Sequence, residues 1–297
     1  MKQYLKNILL LGAMLFILAF IMDFAFTKTF KKGKTVKVQW LQNISNNNYD
    51  YAIIGSSRAW WNVDVKKINH IKNINGINLS NNHFGLSEIL LRLKRFYHQK
   101  NSIEKLLLQI DYKSVFSHKG EFSSTVYNYL PFIDDTLTYN HLKKRNTEWT
   151  LYKSIPFWRY AEYNFQWGLE EYIITNLNLR KSIFDNEGSY FTNNQFHGDS
   201  IIKVKYMKQN LNPDLIDIIN FCNSKQIELQ CFTAPYFNLI INSKTETKFK
   251  NIIDSLNLNH YNYTNSFKTN KSMFNDNTHL SLKGGAIFTD SLIVNHF

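Results

Sequence analysis

The chain is poor in cysteine, proline and glycine, and each scarcity excludes a class of protein. Its two cysteines, Cys222 and Cys231, cannot build a disulfide framework, and we expect them to be buried free thiols. Four prolines and 11 glycines in 297 residues exclude a collagen-like or linker-dominated chain. No Cys-x-x-Cys and no His-x-x-x-His pair occurs, so the sequence predicts no metal site of this type and no cofactor.

Acidic residues are also few: 23 Asp and Glu stand against 35 Lys and Arg, which gives a net charge of +12. A basic surface attracts anionic partners. The lysines are scattered, however, and no zinc-finger spacing, basic-leucine pattern or Arg-rich arm accompanies them. We therefore predict no nucleic-acid partner. A membrane-tethered nucleic-acid binder, which would show salt-sensitive retention on DNA, has only the charge in its favour.

Residues 8–26 form an almost unbroken apolar run, interrupted at Asp23. The run approaches the ~20 residues that span a bilayer, and it lacks the polar face expected of a soluble amphipathic helix. No small-x-small cleavage site and no cysteine follows it, which argues against a cleaved signal peptide and a lipoprotein. We predict an N-terminal flank over 1–7, a single transmembrane signal anchor over 8–26 and a polar juxtamembrane linker over 27–48.

Two features of the sequence favour opposite orientations of this anchor. Five lysines follow the run between residues 28 and 37 and two precede it, and the positive-inside rule then favours a cytoplasmic position for the rest of the chain. The chemistry described below favours the extracytoplasmic side, which is the location we predict.

Short apolar runs alternate with segments of helical spacing along residues 49–297. Strands are predicted over 51–54, 76–79, 105–110 and 228–233, with a weaker one over 260–263. Helices are predicted over 87–97, 213–225, 248–256 and 281–294. Such alternation is typical of an α/β domain with a parallel sheet. The aromatic-rich residues from about 117 to 212 are predicted to be a helical insertion.

Two of the predicted strand ends and loops carry side chains suited to nucleophilic catalysis. The first strand ends in Gly55-Ser56-Ser57-Arg58, where a glycine permits a sharp turn that exposes a serine hydroxyl. Near the C-terminus, Asp276 and His279 are three residues apart before a helix, so the carboxylate can orient the imidazole. Either pattern alone is equally compatible with an ordinary turn.

Taken together, these blocks resemble the SGNH/GDSL hydrolase superfamily. The chain is most similar to its membrane-anchored envelope branch, which includes D-alanyl-lipoteichoic-acid transfer and alginate-acetylation proteins, and in which Gly-Ser-Ser replaces Gly-Asp-Ser. The matching segments are residues 51–58, the turn 78–83, the strand 229–236 ending in Pro-Tyr, and the Asp-x-x-His-x-x-x-x-Gly of Asp276, His279 and Gly284. The resemblance implies a three-layer α/β/α sandwich around a short parallel sheet with flavodoxin-like strand order.

The resemblance also implies roles for individual residues. Ser57 is the expected nucleophile, His279 the general base and Asp276 the residue that orients the base. The oxyanion donors would be the backbone N–H of Ser57 and one near Asn82 and His83. Two departures weaken the match: His83 or a neighbour occupies the second-block glycine position, and Gln109-Ile110-Asp111 replaces the third-block Gly-x-Asn-Asp.

Three further side chains have alternative interpretations. Arg58 is predicted either to hold an anionic substrate or to pair with Asp111. Trp60 and Trp61 would line a sugar groove or pack in the core.

The function expected from the resemblance is that of a membrane-anchored serine esterase or O-acyltransferase. Its substrates would be acyl esters, foremost acetyl esters, of a cell-envelope polysaccharide. The alternative is a non-catalytic protein that binds a glycan or serves as a scaffold for a membrane O-acyltransferase, which the incomplete oxyanion pattern favours.

Overall fold

The computed structural model describes residues 1–34, 36–116, 124–179, 182, 184, 186–192, 196–197 and 201–297, with backbone only for 162–168. The chain divides into two compact units. Met1–Ile44 and Val126–Ser182 form a helical unit, whereas Ser45–Thr125 and Ile183–Phe297 form the sheet unit. The predicted insertion is therefore narrower in the structure than 117–212, and parts of it, such as residues 117–123 and 198–200, lie outside the described residues.

The strands, in chain order, are β1 (Asn48–Ile54), β2 (Gly76–Asn78), β3 (Ser102–Gln109), β4 (Ile202–Val204), β5 (Glu228–Thr233), β6 (Leu239–Ile241) and β7 (Asn259–Asn262). The helices are α1 (Lys2–Lys32), α2 (Lys37–Gln42), α3 (Ser57–Trp60), α4 (Val65–Lys72), α5 (Leu86–His98), α6 (Tyr112–Val115), α7 (Thr136–Lys143), α8 (Trp149–Ser154), α9 (Trp158–Asn176), α10 (Pro213–Ser224), α11 (Ser243–Ser255) and α12 (Leu282–His296). Two 3-10 helices cover Ser124–Phe132 and Lys271–Met273.

Within the described residues, the sheet unit is built on a five-stranded parallel sheet in the order β2-β1-β3-β5-β7. Counting only these strands, the order is 2-1-3-4-5, which is the predicted flavodoxin-like order. In such a sheet the strand order reverses between β1 and β3, and ligands bind outside the carboxyl ends of the strands at this point. The predicted α/β class with a parallel sheet is confirmed.

The sheet is apolar on both faces, because helices cover both. Residues 52–54 of β1 and 106–108 of β3 are completely buried, as expected for inner parallel strands. On one face, Ile53 packs in a core with Ile68 of α4 and Phe288 of α12. Helices α5 and α10 pack on each other, and α10 packs on β5. The predicted free thiols, Cys222 and Cys231, are both buried and unbridged.

The segment predicted to be a polar linker, residues 27–48, is largely helical instead. Helix α1 continues without a break to Lys32, and α2 begins at Lys37. The physical reason is tertiary packing: Phe30 is fully buried and stacks on Tyr160 of α9 with ring centroids 5.5 Å apart. The Thr27 hydroxyl lies 2.8 Å from the Tyr160 hydroxyl. These contacts are long-range, and a local reading of polar composition does not reveal them.

Helix α1 is long and apolar enough to cross a membrane. Asp23, which interrupts its apolar run, is paired with Arg159 at the start of α9. Asp23 Oδ2 accepts hydrogen bonds from Arg159 Nε at 3.0 Å and from the Phe157 N–H at 2.9 Å. A charge in an apolar helix is costly unless it is paired, so the helical unit neutralises the one carboxylate of α1.

Candidate active site

The turn that carries Ser57 is fixed by the end of the neighbouring strand. Gly55 follows β1, and Ser56 caps α3 by accepting a 3.3 Å hydrogen bond from the Arg58 N–H. The N–H and hydroxyl of Ser56 donate to Oε1 of Gln109, at 3.1 and 2.8 Å. A Cβ on Gly55 would lie only 2.6 Å from the Cβ of Gln109. The glycine is therefore required by this close approach of β1 and β3.

The loop that carries His279 is organised by a single carboxylate. Asp276 Oδ1 accepts hydrogen bonds from the Thr278 N–H at 2.7 Å, the Thr278 hydroxyl at 2.9 Å and the His279 N–H at 2.9 Å. Its other oxygen, Oδ2, lies 2.7 Å from His279 Nδ1. This geometry assigns the proton of the neutral imidazole to Nδ1 and leaves Nε2 as an acceptor.

Folding brings the two loops together across 222 residues of sequence. Ser57 Oγ lies 2.8 Å from His279 Nε2, so the hydroxyl can donate directly to the imidazole. The chain of contacts therefore runs from the Ser57 hydroxyl through His279 to the Asp276 carboxylate. The His279 side chain is 17% exposed and that of Asp276 is 40% exposed, so the group is sheltered but open to solvent. These are the three residues that the sequence predicted as nucleophile, base and orienting acid.

The environment of Asp276 keeps its carboxylate charged. Partial burial raises the pKa of the carboxyl, but the hydrogen bond and charge of His279 and the N–H groups of Thr278 and His279 outweigh this effect. The net result is a pKa well below the ordinary range for aspartate. An ionised carboxylate beside Nδ1 is the arrangement that stabilises an imidazolium when the base takes up a proton.

A residue that sequence reasoning missed holds the His279 loop in place. Asn62 is fully buried, and it hydrogen-bonds the backbone on both sides of the histidine. Its Oδ1 accepts from the Leu280 N–H at 2.9 Å, and its Nδ2 donates to the Thr278 carbonyl at 3.3 Å. Asn62 lies five residues after Ser57. One short segment therefore carries both the Ser57 hydroxyl and the amide that fixes the His279 loop. Nothing in the local sequence pattern signals this role.

The Ser57 N–H, one of the two expected oxyanion donors, lies at the end of β1 beside the loop that follows β2. The Ser57 N–H has no acceptor within the described residues. The loop after β2 is tied to β1 by the Leu79 N–H, which donates to the Ile53 carbonyl at 2.7 Å, and by the Asn81 N–H, which donates to the Gly55 carbonyl at 3.3 Å.

Two residues of this loop were predicted as neighbours of the oxyanion. His83 is exposed and has a φ of 53°, a left-handed conformation that glycine adopts most easily. This explains how a histidine can occupy a position where the resemblance implies glycine. Asn82 Oδ1 is buried without a hydrogen-bond partner in the described part of the chain. The oxyanion role of Asn82 and His83 stays a prediction.

Of the two roles considered for Arg58, the structure shows the ion pair. Arg58 is 5% exposed and its Nη1 pairs with Asp111. Its Nη2 donates to the carbonyls of Ala234 and, at 2.9 Å, Pro235. The guanidinium also lies 3.4 Å from the centroid of the Tyr236 ring. Because both terminal nitrogens are engaged, Arg58 and Asp111 join the ends of β1, β3 and β5 and do not present a free cation to an anionic substrate.

The two tryptophans after the nucleophile differ in their surroundings. Trp60 is 6% exposed and packs against Phe184 and Tyr190, as expected for the core alternative. Trp61 is half-buried, and its ring lies 4.7 Å from the His279 ring, centroid to centroid. Trp61 therefore forms one wall of the candidate site and contacts the imidazole directly.

No group of three or more His, Cys, Asp or Glu side chains within the described residues is arranged to hold a metal ion. No protein-family model matches this chain, and no curated protein is significantly similar to it. The arguments on function therefore depend on the geometry of the site itself.

Proposed function

We propose that this protein is a membrane-anchored serine esterase or O-acyltransferase of the SGNH type. The observation that carries the proposal is the continuous chain of contacts at 2.8 and 2.7 Å from Ser57 through His279 to Asp276. The position of the serine directly after β1, at the carboxyl edge of a sheet with 2-1-3-4-5 order, supports the same assignment.

In the first half-reaction, Nε2 of His279 takes the proton of the Ser57 hydroxyl while Oγ attacks the ester carbonyl. The ionised Asp276 stabilises the imidazolium that results. The Ser57 N–H, which no protein group engages within the described residues, is available to the developing oxyanion. Collapse of the tetrahedral intermediate passes the proton from His279 to the leaving alcohol and leaves the acyl group on Ser57.

In the second half-reaction the roles are reversed. His279 removes a proton from an incoming hydroxyl, which attacks the acyl-enzyme. The tetrahedral intermediate then collapses, and His279 returns the proton to Oγ of Ser57 as the acyl group leaves with the acceptor. Water as acceptor gives hydrolysis, and a sugar hydroxyl gives transfer. We place the substrate among acyl esters of envelope polysaccharides, since α1 would hold the sheet unit at a membrane and the net charge of +12 favours an anionic glycan.

The test compares wild type with Ser57→Ala on p-nitrophenyl acetate, using Ser56→Ala as the matched control. Ser57→Ala is expected to abolish turnover and labelling by a fluorophosphonate probe. Ser56→Ala, which changes the adjacent serine, should retain labelling at Ser57. A wild-type protein that neither turns over the ester nor reacts with the probe would refute the enzyme and favour the non-catalytic glycan-binding partner.

A further inference from the structure

The helical unit contains a cavity that the proposed reaction does not use. It has a volume of about 550 Å³ and is bounded by one side of α1 and by the end of α8 with the turn that follows it. The side chains that matter for its chemistry are Phe20, Phe24, Lys28, Lys31, Lys153 and Ile155.

The cavity runs along α1 from its apolar part to its basic end. Phe20 and Phe24 are 62% and 63% exposed, whereas Lys28 and Lys31 follow on the next turns. The distance along the helix from Phe20 to Lys31 is about 16 Å, which is the depth of one leaflet's acyl region. A helix that crosses a bilayer would therefore place the apolar end of this cavity among lipid chains and its basic end at the level of the headgroups.

Exposed apolar side chains beside the cavity fit the same position. Ile155, which lines it, is 43% exposed, and Trp158 on the following turn is 42% exposed. Leu151 of α8 is 50% exposed. Tryptophan is enriched at the bilayer interface, and exposed aliphatic side chains next to a membrane-spanning helix suit contact with lipid chains.

The charges around the cavity leave two cations without an acidic partner. Asp23 is neutralised by Arg159, and Asp134 is shared between Arg159 and Lys31, whose Nζ lies 3.9 Å away. Lys28 and Lys153 form no ion pair with any described residue; Lys153 lies over the Tyr139 ring and Lys28 near that of Phe24. The cavity thus joins an apolar wall to two unpaired ammonium groups.

We propose that this cavity binds the headgroup of an anionic phospholipid, with the lipid phosphate between Lys28 and Lys153 and an acyl chain along Phe20 and Phe24. Lysine binds phosphate as a point charge, and the apolar wall of α1 suits a lipid chain. The proposal requires α1 to lie in a bilayer, but it does not depend on the esterase activity.

The full chain, reconstituted in vesicles of equal parts phosphatidylglycerol and phosphatidylcholine, is extracted in a neutral detergent, and the retained lipids are counted by mass spectrometry. Wild type is expected to retain phosphatidylglycerol over phosphatidylcholine. In a pocket variant, Lys28→Gln with Lys153→Gln, the enrichment of phosphatidylglycerol over phosphatidylcholine should fall by about 20- to 30-fold, because each lysine contributes about fivefold. A charge-matched control, Lys66→Gln with Lys250→Gln, changes two exposed lysines of the sheet unit and should behave as wild type.

Each other outcome overturns the proposal. An equal loss in the control would show a general effect of net charge, and equal retention of the two lipids would show a purely apolar groove. Displacement of phosphatidylglycerol by 10-fold excess inorganic phosphate would show a phosphate-ion site instead of a lipid site. Because lipid retention is measured without turnover, this result is independent of the Ser57 experiments.

Discussion

Replacement of Asn62 by alanine tests whether the candidate site depends on the two hydrogen bonds that Asn62 makes with the backbone on either side of His279. The change removes the acceptor of the buried Leu280 N–H and the donor to the carbonyl of the half-buried Thr278. Losing both hydrogen bonds, one of them to a buried backbone N–H, costs about 2–4 kcal/mol of stability. A displacement of His279 by about 1 Å would lower activity by about 10²-fold, because proton transfer requires the present 2.8 Å contact with Ser57.

Asn69→Ala is the matched control for this experiment. Asn69 belongs to the same unit, and its side chain makes three hydrogen bonds, with the Tyr51 hydroxyl at 2.8 Å and with the N–H and carbonyl of Gly76 at 2.9 and 3.0 Å. It touches none of the candidate catalytic groups. Its loss should lower the urea midpoint to a similar degree and leave kcat/KM within about threefold of wild type.

Asn62→Asp gives an intermediate test, since it keeps the acceptor for Leu280 and loses the donor to Thr278. The measurements are kcat/KM on p-nitrophenyl acetate and the rate of fluorophosphonate labelling, each at a temperature where the variant is folded. If Asn62→Ala and Asn69→Ala lose activity equally, Asn62 has no positioning role and the reasoning is refuted.

Three other perturbations test the candidate site and the packing of the sheet unit. Asp276→Asn should lower kcat by about 10²–10⁴-fold with little change in KM, because the amide cannot stabilise an imidazolium; an unchanged kcat would refute the role of the carboxylate. Gly55→Ala should destabilise the fold by about 1–3 kcal/mol, because the new Cβ would meet the Gln109 side chain at 2.6 Å; a urea midpoint equal to that of wild type would contradict this. Burial lowers the pKa of His260 and of His296 to about 4, so the unfolded chain binds protons first as the pH falls. The free energy of unfolding should therefore be constant above about pH 6.5 and decrease from there towards pH 4, and a flat urea midpoint over this range would disagree.

The central sheet could be predicted from sequence because its strands are short apolar runs with few competing interpretations. Residues 52–54 and 106–108 are buried on both faces, and this burial is what makes them uniformly apolar. The polar start of β1, Asn48–Asp50, was not predicted, because its supports are distant in sequence: β3 pairs with its backbone, and Ser102 and Asn75 hydrogen-bond the side chains of Asn48 and Asp50. Helix α11 likewise begins at Ser243, before the apolar residues of the predicted 248–256, because Asn242 caps it by accepting from the Lys244 N–H at 3.1 Å.

The residues of the candidate site could be predicted from the sequence, whereas the residues that support them could not. Ser57, Asp276 and His279 stand in short blocks whose order along the chain is informative. Asn62 and Gln109 act through contacts with backbone or side chains that are distant in sequence, at 2.9 Å to Leu280 and 2.8 Å to Ser56. No local sequence motif marks such residues, because a supporting asparagine or glutamine cannot be distinguished by sequence from any other asparagine or glutamine in the same segment.

The helical unit was the least predictable part of the chain for the same reason. Neither Asp23, in an apolar run, nor Arg159, far along the sequence, indicates by its local sequence that the two form an ion pair. Residues 27–32 look like the start of a linker until the contact of Phe30 with Tyr160 is known. Helix packing that joins α1 to α9 is a tertiary effect, and polar composition alone favours a loop.

The two functions that we propose belong to different units: the active site to the sheet unit and the lipid site to the helical unit. Every described hydrogen bond of the triad and of its supports lies within Ser45–Thr125 and Ile183–Phe297. The carboxylate pairing of α1 and the lysine-lined cavity lie within Met1–Ile44 and Val126–Ser182. Within the described residues, the part of the insertion that belongs to the helical unit, Val126–Ser182, makes no hydrogen bond with the candidate triad. Its physical effect is to fold back on the apolar helix, bury the charge of Asp23 and form a basic cavity where that helix would leave the bilayer.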